Sequence, residues 1–311
     1  KILKFILLEE SLFFIVLVAW SIVRAYAPDI EGLEKYMDWG FVNSALRTQY
    51  LPPADMWYAG LPINYYYFGH LIFALLTKVS SIPSSITYNL SITTLCSLVF
   101  VSAFSLVANL ASKHKSFLLA GLFSALLLTF GGNLHPIYKI LKINYTTNNN
   151  HINLQTIQKS AESYWYPDAT RFIGFDPDVD NKTIHEFPLY SFVVSDLHGH
   201  VNDIPIVLFF LAFLLSYSQS ALASKKVKID FELILGAGLI LSLAYMTNAW
   251  DFAVYGLFFG IFILLFQKNI WITLATGLLT IIFWYLFTLP YSLNFTPMAE
   301  GIKLVDVRSP L

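Results

Sequence analysis

The chain has 311 residues, of which 56% are hydrophobic and only 13% are charged, with a formal net charge of −1. Soluble globular domains have about a quarter of their residues charged, so this composition predicts an integral membrane protein rather than a soluble one. The near-neutral charge gives no indication of a nucleic-acid partner, and none is expected. The single cysteine, Cys96, lies in an apolar run, which excludes a disulfide framework and a thiolate metal site.

The two ends of the sequence indicate that it belongs to a longer chain. The first residue is Lys1 rather than methionine, and Leu311 ends the sequence inside a polar stretch. No internal repeat is evident, so we expect one transmembrane domain over residues 1–311.

Long apolar runs recur along the sequence and predict the fold class. Seven runs have about 15 to 25 residues each, and a helix of about 20 apolar residues crosses the hydrocarbon core of a bilayer. An eighth run, residues 65–79, is shorter and carries His70 and Lys78. We predict an all-α polytopic bundle of about seven spans plus one re-entrant helix. The predicted spans are residues 5–23, 86–111, 117–130, 201–217, 233–246, 252–266 and 270–289.

Basic residues in the short connections predict the orientation of the bundle, because cytoplasmic loops are enriched in Lys and Arg. If residues 65–79 re-enter without crossing, all these positions fall on one side and the N-terminus is cytoplasmic. The long polar segments at residues 24–64 and 131–200 then lie outside, in a multi-pass protein of the cell membrane. The basic residues are Lys1, Lys4, Lys113, Lys115, Lys225, Lys226, Lys228 and Lys268.

The first long polar segment contains three acidic residues at helical spacing. Glu31, Glu34 and Asp38 are three and four residues apart, so they would share one face of a helix. We predict an amphipathic helix lying in the membrane interface, with its carboxylates towards water or a site. Alternatively, these acids simply form a solvated face. The opposite face would carry Ile30, Leu33, Met37 and Phe41.

The rest of this segment is rich in aromatic and polar residues. Three consecutive tyrosines could form an interfacial aromatic belt, or could line a sugar- or phosphate-binding cleft beside Asn64 and His70. Arg47 and Arg24 lie on the outer side, against the basic-residue bias. Either could hold a phosphate by paired hydrogen bonds, or could pair with Glu34 or Asp38.

The second long polar segment ends in a cluster of potential ligands. Asp196, His198 and His200 lie within five residues, just before a predicted span. Imidazole and carboxylate groups suit a divalent ion, or general acid–base chemistry near neutral pH. His200 could instead be a structural cap. Ionisable groups at the mouth of an apolar helix are costly unless paired, so we expect this cluster to meet the first segment near Asp38.

Five separate motifs together resemble one family, the YYY membrane proteins, from about Glu9 to the C-terminus. This family is distantly similar to membrane glycosyltransferases that use polyprenyl-phosphate sugars, such as oligosaccharyltransferase catalytic subunits and protein O-mannosyltransferases. The resemblance implies a first catalytic acid at Asp38 and a second acid at Asp196, although neither local motif reproduces those of the mannosyltransferases. The five motifs are EKYMD, PPADMWYAG, INYYYFGH, EFPLYSFVVSDLHGH and NAWD.

The resemblance implies a glycosyltransferase that moves a sugar from a polyprenyl-phosphate-linked donor to an acceptor on the outer face. The expected partners are membrane lipid and that donor. Asp38, with Glu34, would be catalytic, and Asp38 would be the base on the acceptor hydroxyl. Asp196, His198 and His200 would hold a divalent ion, Mg²⁺ or Mn²⁺, or the donor phosphate. The predicted substrate-binding residues are Arg47, Asp55, Trp57, Asn64, Tyr65, Tyr66, Tyr67 and His70.

Two other function classes stay open at this stage. A membrane transporter would use His70 and Lys78 within the membrane as a substrate path. A non-catalytic envelope assembly protein would need neither. Carrier sites lie near the bilayer midplane, whereas the acids and histidines here cluster in the outer segments, which favours the enzyme.

Overall fold

The computed structural model of the chain describes residues 2–174, 179–180, 182–224 and 229–296. Twelve α-helices and two short 3-10 helices account for most of these residues, and two isolated antiparallel bridges are the only extended pairings described among them. The predicted all-α fold class is therefore confirmed. The α-helices are α1 (Ile2–Ala25), α2 (Lys35–Arg47), α3 (Phe68–Ser80), α4 (Ser84–Leu110), α5 (Phe117–Phe130), α6 (His135–Thr147), α7 (Ile157–Glu162), α8 (Pro188–Val194), α9 (Gly199–Ser224), α10 (Phe231–Thr247), α11 (Ala249–Gln267) and α12 (Ile270–Ser292).

Four helices within the described residues are long and apolar enough to cross a membrane. The number becomes five if α5 and α6, which meet at a bend of 56°, form one broken span. The seven predicted runs are all helical, but three of these helices are not among the four candidate spans. Helices α5 and α10 have only 14 and 17 residues, and α1 includes Glu9 and Glu10. The four helices are Ser84–Leu110, Gly199–Ser220, Ala249–Gln267 and Ile270–Ser292.

The short apolar helix α3 begins directly after the three tyrosines. Its 13 residues extend about 20 Å at 1.5 Å per residue, less than the ~30 Å hydrocarbon core. It ends at Ser81, whose positive φ of 58° turns the chain towards Pro83 and the start of α4. Of the basic residues used for the orientation, Lys1, Lys225, Lys226 and Lys228 lie outside the described residues.

The helix predicted around the first acidic residues begins later than expected. Helix α2 starts at Lys35, so Glu31 and Glu34 precede it and do not share its face with Asp38. Gly32 and Leu33 have positive φ angles of 74° and 50°, which a right-handed helix cannot accommodate. The side of α2 that carries Asp38 packs into the protein rather than facing water, because α2 contacts α3 and α4.

Helix α4 forms the centre of the first half of the bundle and packs against α1, α5 and α9. A buried residue recurs at every fourth position along it, which is the spacing of one ridge on a helix surface. The second half packs α9 against α10 and α11, so α9 joins both halves. The buried ridge of α4 consists of Tyr88, Ile92, Cys96, Phe100 and Phe104.

Besides the cores of the two halves, a third, smaller apolar cluster supports the segment that carries the three tyrosines. It combines one residue of α2, residues beside the three tyrosines, and residues near the ends of α10 and α12. This cluster fixes the tyrosine segment against the bundle at the level where α2 begins. Its buried members are Phe41, Ile63, Tyr67, Met246 and Tyr291.

Candidate functional site

Two segments that are far apart in the sequence meet beside α2. The end of the second polar segment brings Asp196 and His198 against Glu34 and Asp38. Helix α3 contributes His70, which contacts Asp38. We call these five residues the acid–histidine cluster. The expected convergence of Asp196 and His198 with the region of Asp38 is confirmed.

Asp38 and His70 form the buried base of the acid–histidine cluster. The two side chains are 0% and 1% exposed, and His70 Nε2 lies 3.0 Å from Asp38 Oδ1. The ring of His70 also packs edge-on against Phe41, with centroids 5.3 Å apart. Asp38 Oδ2 has no hydrogen-bond partner among the described residues. One carboxylate oxygen is therefore held, and the other is free to bind a proton, an ion or a ligand.

His198 connects the two segments through both ring nitrogens. Its Nδ1 lies 2.9 Å from Glu34 Oε2 and 3.6 Å from Asp38 Oδ1. Its Nε2 lies 2.5 Å from the hydroxyl of Tyr65, the first of the three tyrosines. The Tyr66 ring packs against the Tyr65 ring, with centroids 4.2 Å apart, and so supports that contact. The hydrogen bond at Nε2 and the carboxylates near Nδ1 restrict the orientation of the ring, as at ligand and catalytic histidines, although Nδ1 itself has no aligned hydrogen-bond partner among the described residues.

A second group of acid and imidazole side chains adjoins the first through Asp196. His200 Nε2 lies 3.4 Å from Glu186 Oε2 and 3.2 Å from the hydroxyl of Ser191. Glu186, Asp196 and His200 offer one ligand atom each within 4.8 Å of one another, and so do Glu34, Asp196 and His198. Asp196 is common to both groups.

The short chain segment between α8 and α9 is fixed by four hydrogen bonds and one backbone turn. Ser195 has a positive φ of 62°, and its carbonyl accepts a hydrogen bond of 2.9 Å from the Tyr88 hydroxyl. The amide of Asp196 donates to the Ser191 carbonyl at 2.9 Å, and the Asn202 side chain donates to the carbonyl between Asp196 and His198 at 2.9 Å. The His198 contact to Tyr65 is the fourth. These bonds hold Asp196 and His198 in place before any ligand binds.

Burial and neighbouring charges determine the protonation states. Burial raises the pKa of Asp38, but interactions with His198 and His70 outweigh it and lower the pKa to about 2. Burial lowers the pKa of His198, but Asp38 and Glu34 outweigh it and raise the pKa to about 11. Burial, and then the charge of Asp38, raise the pKa of Asp196 to about 8. At neutral pH the cluster thus has an ionised Asp38, a protonated His198 and a neutral Asp196.

The donor set suits a divalent ion, whose binding would have to displace the protons of His198 and Asp196, because metal ligands are deprotonated. A metal with ligand distances near 2.1 Å needs ligand atoms about 3 to 4 Å apart, so atoms within 4.8 Å need only small shifts. Asp196 is 8% exposed, and its Oδ1 has no hydrogen-bond partner among the described residues. The contact from His198 Nε2 to the Tyr65 hydroxyl would serve as the outer hydrogen bond of a ligating imidazole. Mixed imidazole and carboxylate ligands favour Mn²⁺ or Zn²⁺ over Mg²⁺.

Several of the predicted substrate-binding residues have structural contacts outside the acid–histidine cluster. Tyr67 is buried and packs on Tyr291 at 5.5 Å, within the third apolar cluster. Asn64 exchanges two hydrogen bonds with the backbone of Thr296 after α12. Asp55 Oδ1 accepts from the amides of Trp57 and the residue after it, and so closes a turn. Trp57 is 68% exposed.

The structure does not show the ion pairs that were considered for the two arginines of the first polar segment. Neither Arg24 nor Arg47 forms an ion pair with Glu34 or Asp38 in the part of the chain that the structure describes. Arg24 is buried and hydrogen-bonded to Asn89. A role for Arg47 at the donor headgroup stays a prediction.

Some site residues were missed by sequence reasoning. Tyr88 and Ser191 position the segment that holds Asp196. Glu186, whose carboxylate lies beside His200, was not missed, because it stands at the ligand-rich end of the second polar segment. Glu186 lies in the same histidine-rich motif, so its proximity to His200 had a signal in the sequence. Tyr88 lies at the start of an apolar run, and nothing in the sequence indicates that its hydroxyl donates to a backbone carbonyl 107 positions away.

Gly199, between the two histidines, allows a close approach that a larger residue would prevent. A Cβ there would lie 2.5 Å from the backbone carbonyl oxygen of Thr247 and 3.1 Å from the Tyr66 ring. Because backbone cannot move as a flexible side chain can, we expect Gly199→Ala to displace His198 and to destabilise the protein by about 1–3 kcal/mol. Gly256→Ala is the control, since a Cβ at Gly256 in α11 has no atom within 4 Å. Thermal unfolding in detergent of both variants compares them, and equal melting temperatures would contradict the predicted clash.

Comparison with known proteins gives one match. A family model described as "Uncharacterized membrane protein (DUF2298)" matches residues 2–311. No curated protein and no solved structure gives a significant match. The match therefore supports a membrane protein and carries no activity with it.

Proposed function

The chain belongs to the DUF2298 family of membrane proteins, and we propose, from the geometry of its site, that it is a glycosyltransferase. It moves a sugar from a polyprenyl-phosphate-linked donor to an acceptor on the outer face of the cell membrane. The observation that carries this proposal is the acid–histidine cluster, in which ionisable side chains of both long polar segments meet at one place. A scaffold protein has no need for such a cluster, and a carrier would place it near the middle of its spans.

Asp38 is the proposed base for the acceptor hydroxyl. A hydroxyl is a poor nucleophile at neutral pH, and a positioned base contributes typically 10²–10⁴-fold in rate. The unpartnered Asp38 Oδ2 is the atom that would take the proton. Asp38 is fully buried, whereas the Glu34 side chain is 61% exposed, so the acceptor would enter as Glu34 turns away from His198.

The histidine side of the cluster is the proposed donor-binding side. His198 and Asp196, with His200, would hold the donor phosphate directly or through a divalent ion, which would supply positive charge to the leaving phosphate. A phosphate on the His198 imidazolium would reduce the effect of that charge on Asp38. Asp38 would then become a stronger base only when the donor is bound.

A transfer assay tests this proposal. The protein is reconstituted in proteoliposomes with a labelled polyprenyl-phosphate sugar, and label is counted on a membrane-impermeant acceptor added outside. We expect transfer by the unmodified protein, a large loss in Asp196→Asn, and little change in Glu31→Gln, whose side chain is exposed outside the cluster. Equal transfer by Asp196→Asn would remove this residue from the site.

The proposed site requires both long polar segments to lie outside, with seven spans, a cytoplasmic N-terminus and α3 as the re-entrant helix. This orientation is tested with single cysteines on exposed positions, after replacement of the buried Cys96. In intact cells a cysteine at Ser163 should react with a membrane-impermeant thiol reagent, whereas one at Ser112 should not. Labelling at Ser112 would overturn the orientation.

A further inference from the structure

Arg24 lies at the end of α1, where it is only 5% exposed. Its Nε and Nη2 donate to Asn89 Oδ1 at 3.1 and 2.8 Å, and Nη2 donates to the Ala27 carbonyl at 2.6 Å. These partners are neutral, and Nη1 donates to none of the described residues. No described carboxylate lies within ion-pair distance of this guanidinium. A buried charge without a counter-ion is costly, so the site favours an anion.

A second cation, Lys35, at the start of α2, is near enough to Arg24 for the two charges to interact, although it does not line the groove between α1 and α4. Burial and then the positive charge of Arg24 lower the pKa of the Lys35 ammonium. The carboxylates that act on Lys35 in the opposite sense include Asp29 and Glu31, and both are solvent-exposed. Lys35 Nζ itself contacts only the Asp29 carbonyl, at 3.4 Å. The buried Asp196 also acts on Lys35, but no described carboxylate lies within ion-pair distance of either cation. A phosphate group between the two cations would complete this arrangement.

Arg24 lines a groove of about 250 Å³ between α1 and α4. Its lining is mainly apolar, with the guanidinium and one amide at its polar part. A groove of this kind fits a ligand with an anionic head and a hydrocarbon chain better than it fits a small hydrophilic anion. Its lining residues include Ser21, Arg24, Pro28, Ile86, Asn89 and Leu90.

The groove and the acid–histidine cluster lie at the same level of α4. Asn89, which binds Arg24, directly follows Tyr88, whose hydroxyl donates to the Ser195 carbonyl next to Asp196. When it is ionised, the Asp196 carboxylate also acts on Lys35. A headgroup held by the two cations would therefore lie beside Asp196.

We propose that this groove binds a membrane lipid phosphate, with Arg24 and Lys35 on the phosphate oxygens and the hydrocarbon chain between α1 and α4. The identity of that lipid as the polyprenyl-phosphate donor rests on the proposed function. The assignment moves the donor headgroup from Arg47, which the sequence indicated, to Arg24 and Lys35.

Binding of radiolabelled polyprenyl phosphate to the full chain in phosphatidylcholine nanodiscs tests the proposal. Charge-assisted hydrogen bonds to phosphate are strong, so we expect Arg24→Gln to weaken binding at least about tenfold and Lys35→Gln about threefold or more. Lys78→Gln is the matched control. Lys78 is exposed and lines a comparable apolar groove of about 210 Å³, and that variant should bind as the unmodified protein does.

Competitors separate the possible ligands. Unlabelled polyprenyl phosphate should displace the label, whereas inorganic phosphate and the uncharged polyprenol should not do so at the same concentrations. Displacement by inorganic phosphate at equal concentration would show a site for a free anion and would overturn the lipid proposal. Unchanged binding in both Arg24→Gln and Lys35→Gln would also overturn it. Because Lys35 is partly exposed, Lys35→Gln keeps the test valid if Arg24→Gln fails to fold.

The same variants distinguish failure of this inference from failure of the proposed function. Binding that depends on Arg24 and Lys35 without any sugar transfer would retain the lipid site and remove the transferase. Transfer whose donor KM is unchanged in both variants would retain the transferase and remove this lipid site.

Discussion

Replacement of Asp38 by asparagine is expected to reduce sugar transfer by about 10²–10⁴-fold, the contribution of a positioned general base. Asparagine keeps the size of the side chain and an oxygen that can accept from His70, but it cannot take a proton. Asp38 is also the point where α2, α3 and the histidine motif meet, through contacts of 3.0 Å to His70 and 3.6 Å to His198. The substitution should therefore lower stability as well, and the loss of turnover is measured at a temperature at which the variant stays folded.

The measurement is transfer of labelled sugar from lipid donor in proteoliposomes, with thermal stability recorded for every variant. Glu31→Gln, an exposed acid seven residues earlier, is the control and should be nearly silent. Glu34→Gln gives the informative comparison, because Glu34 is the other acid within reach of His198. Full transfer by a folded Asp38→Asn protein would eliminate Asp38 as the base and would favour Glu34.

Removal of the His70 side chain is expected to cost about 3–5 kcal/mol of stability. His70→Ala would leave the fully buried Asp38 carboxylate without its closest partner. The lost hydrogen bond to a buried charged group and the cavity left by the ring together have costs of this size. It would also remove the ring that packs edge-on against Phe41 at 5.3 Å. The measurement is the free energy of unfolding in detergent, from a denaturant titration.

His151→Ala is the control for His70→Ala. His151 is exposed, so its replacement should change the free energy of unfolding by no more than about 0.5 kcal/mol. If His70→Ala is as stable as the unmodified protein, then the contact between His70 and Asp38 does not stabilise the fold. Asp38 would in that case have to be neutral or solvated.

The helices were predictable because hydrophobic runs leave a strong local signal. The run at residues 86–111 corresponds to α4 at Ser84–Leu110, and the run at residues 270–289 to α12 at Ile270–Ser292. The start of α2 was not predictable from spacing alone. The acidic spacing continues through Gly32 and Leu33, but their positive φ angles end any helical path there.

The site was predictable only in part. The cost of ionisable groups at the mouth of an apolar helix indicated that His198 needs a partner, and that partner includes Asp38. The pairing of Asp38 with His70 had no comparable signal, since the two residues lie 32 positions apart in different helices. No described carboxylate pairs with Arg24, because α1 and α4 pack together around its side chain. Such packing cannot be predicted from the neighbouring residues in the sequence.

The proposed enzyme is tested most directly by following the donor itself. Unmodified protein in nanodiscs is given a labelled polyprenyl-phosphate sugar and a panel of hydroxyl acceptors, and free polyprenyl phosphate is measured over time. The account predicts steady release of polyprenyl phosphate, matched by sugar on an acceptor and lost in Asp38→Asn. No release above the protein-free control with any sugar or acceptor would contradict the transferase, and a carrier or an envelope assembly protein would then replace it.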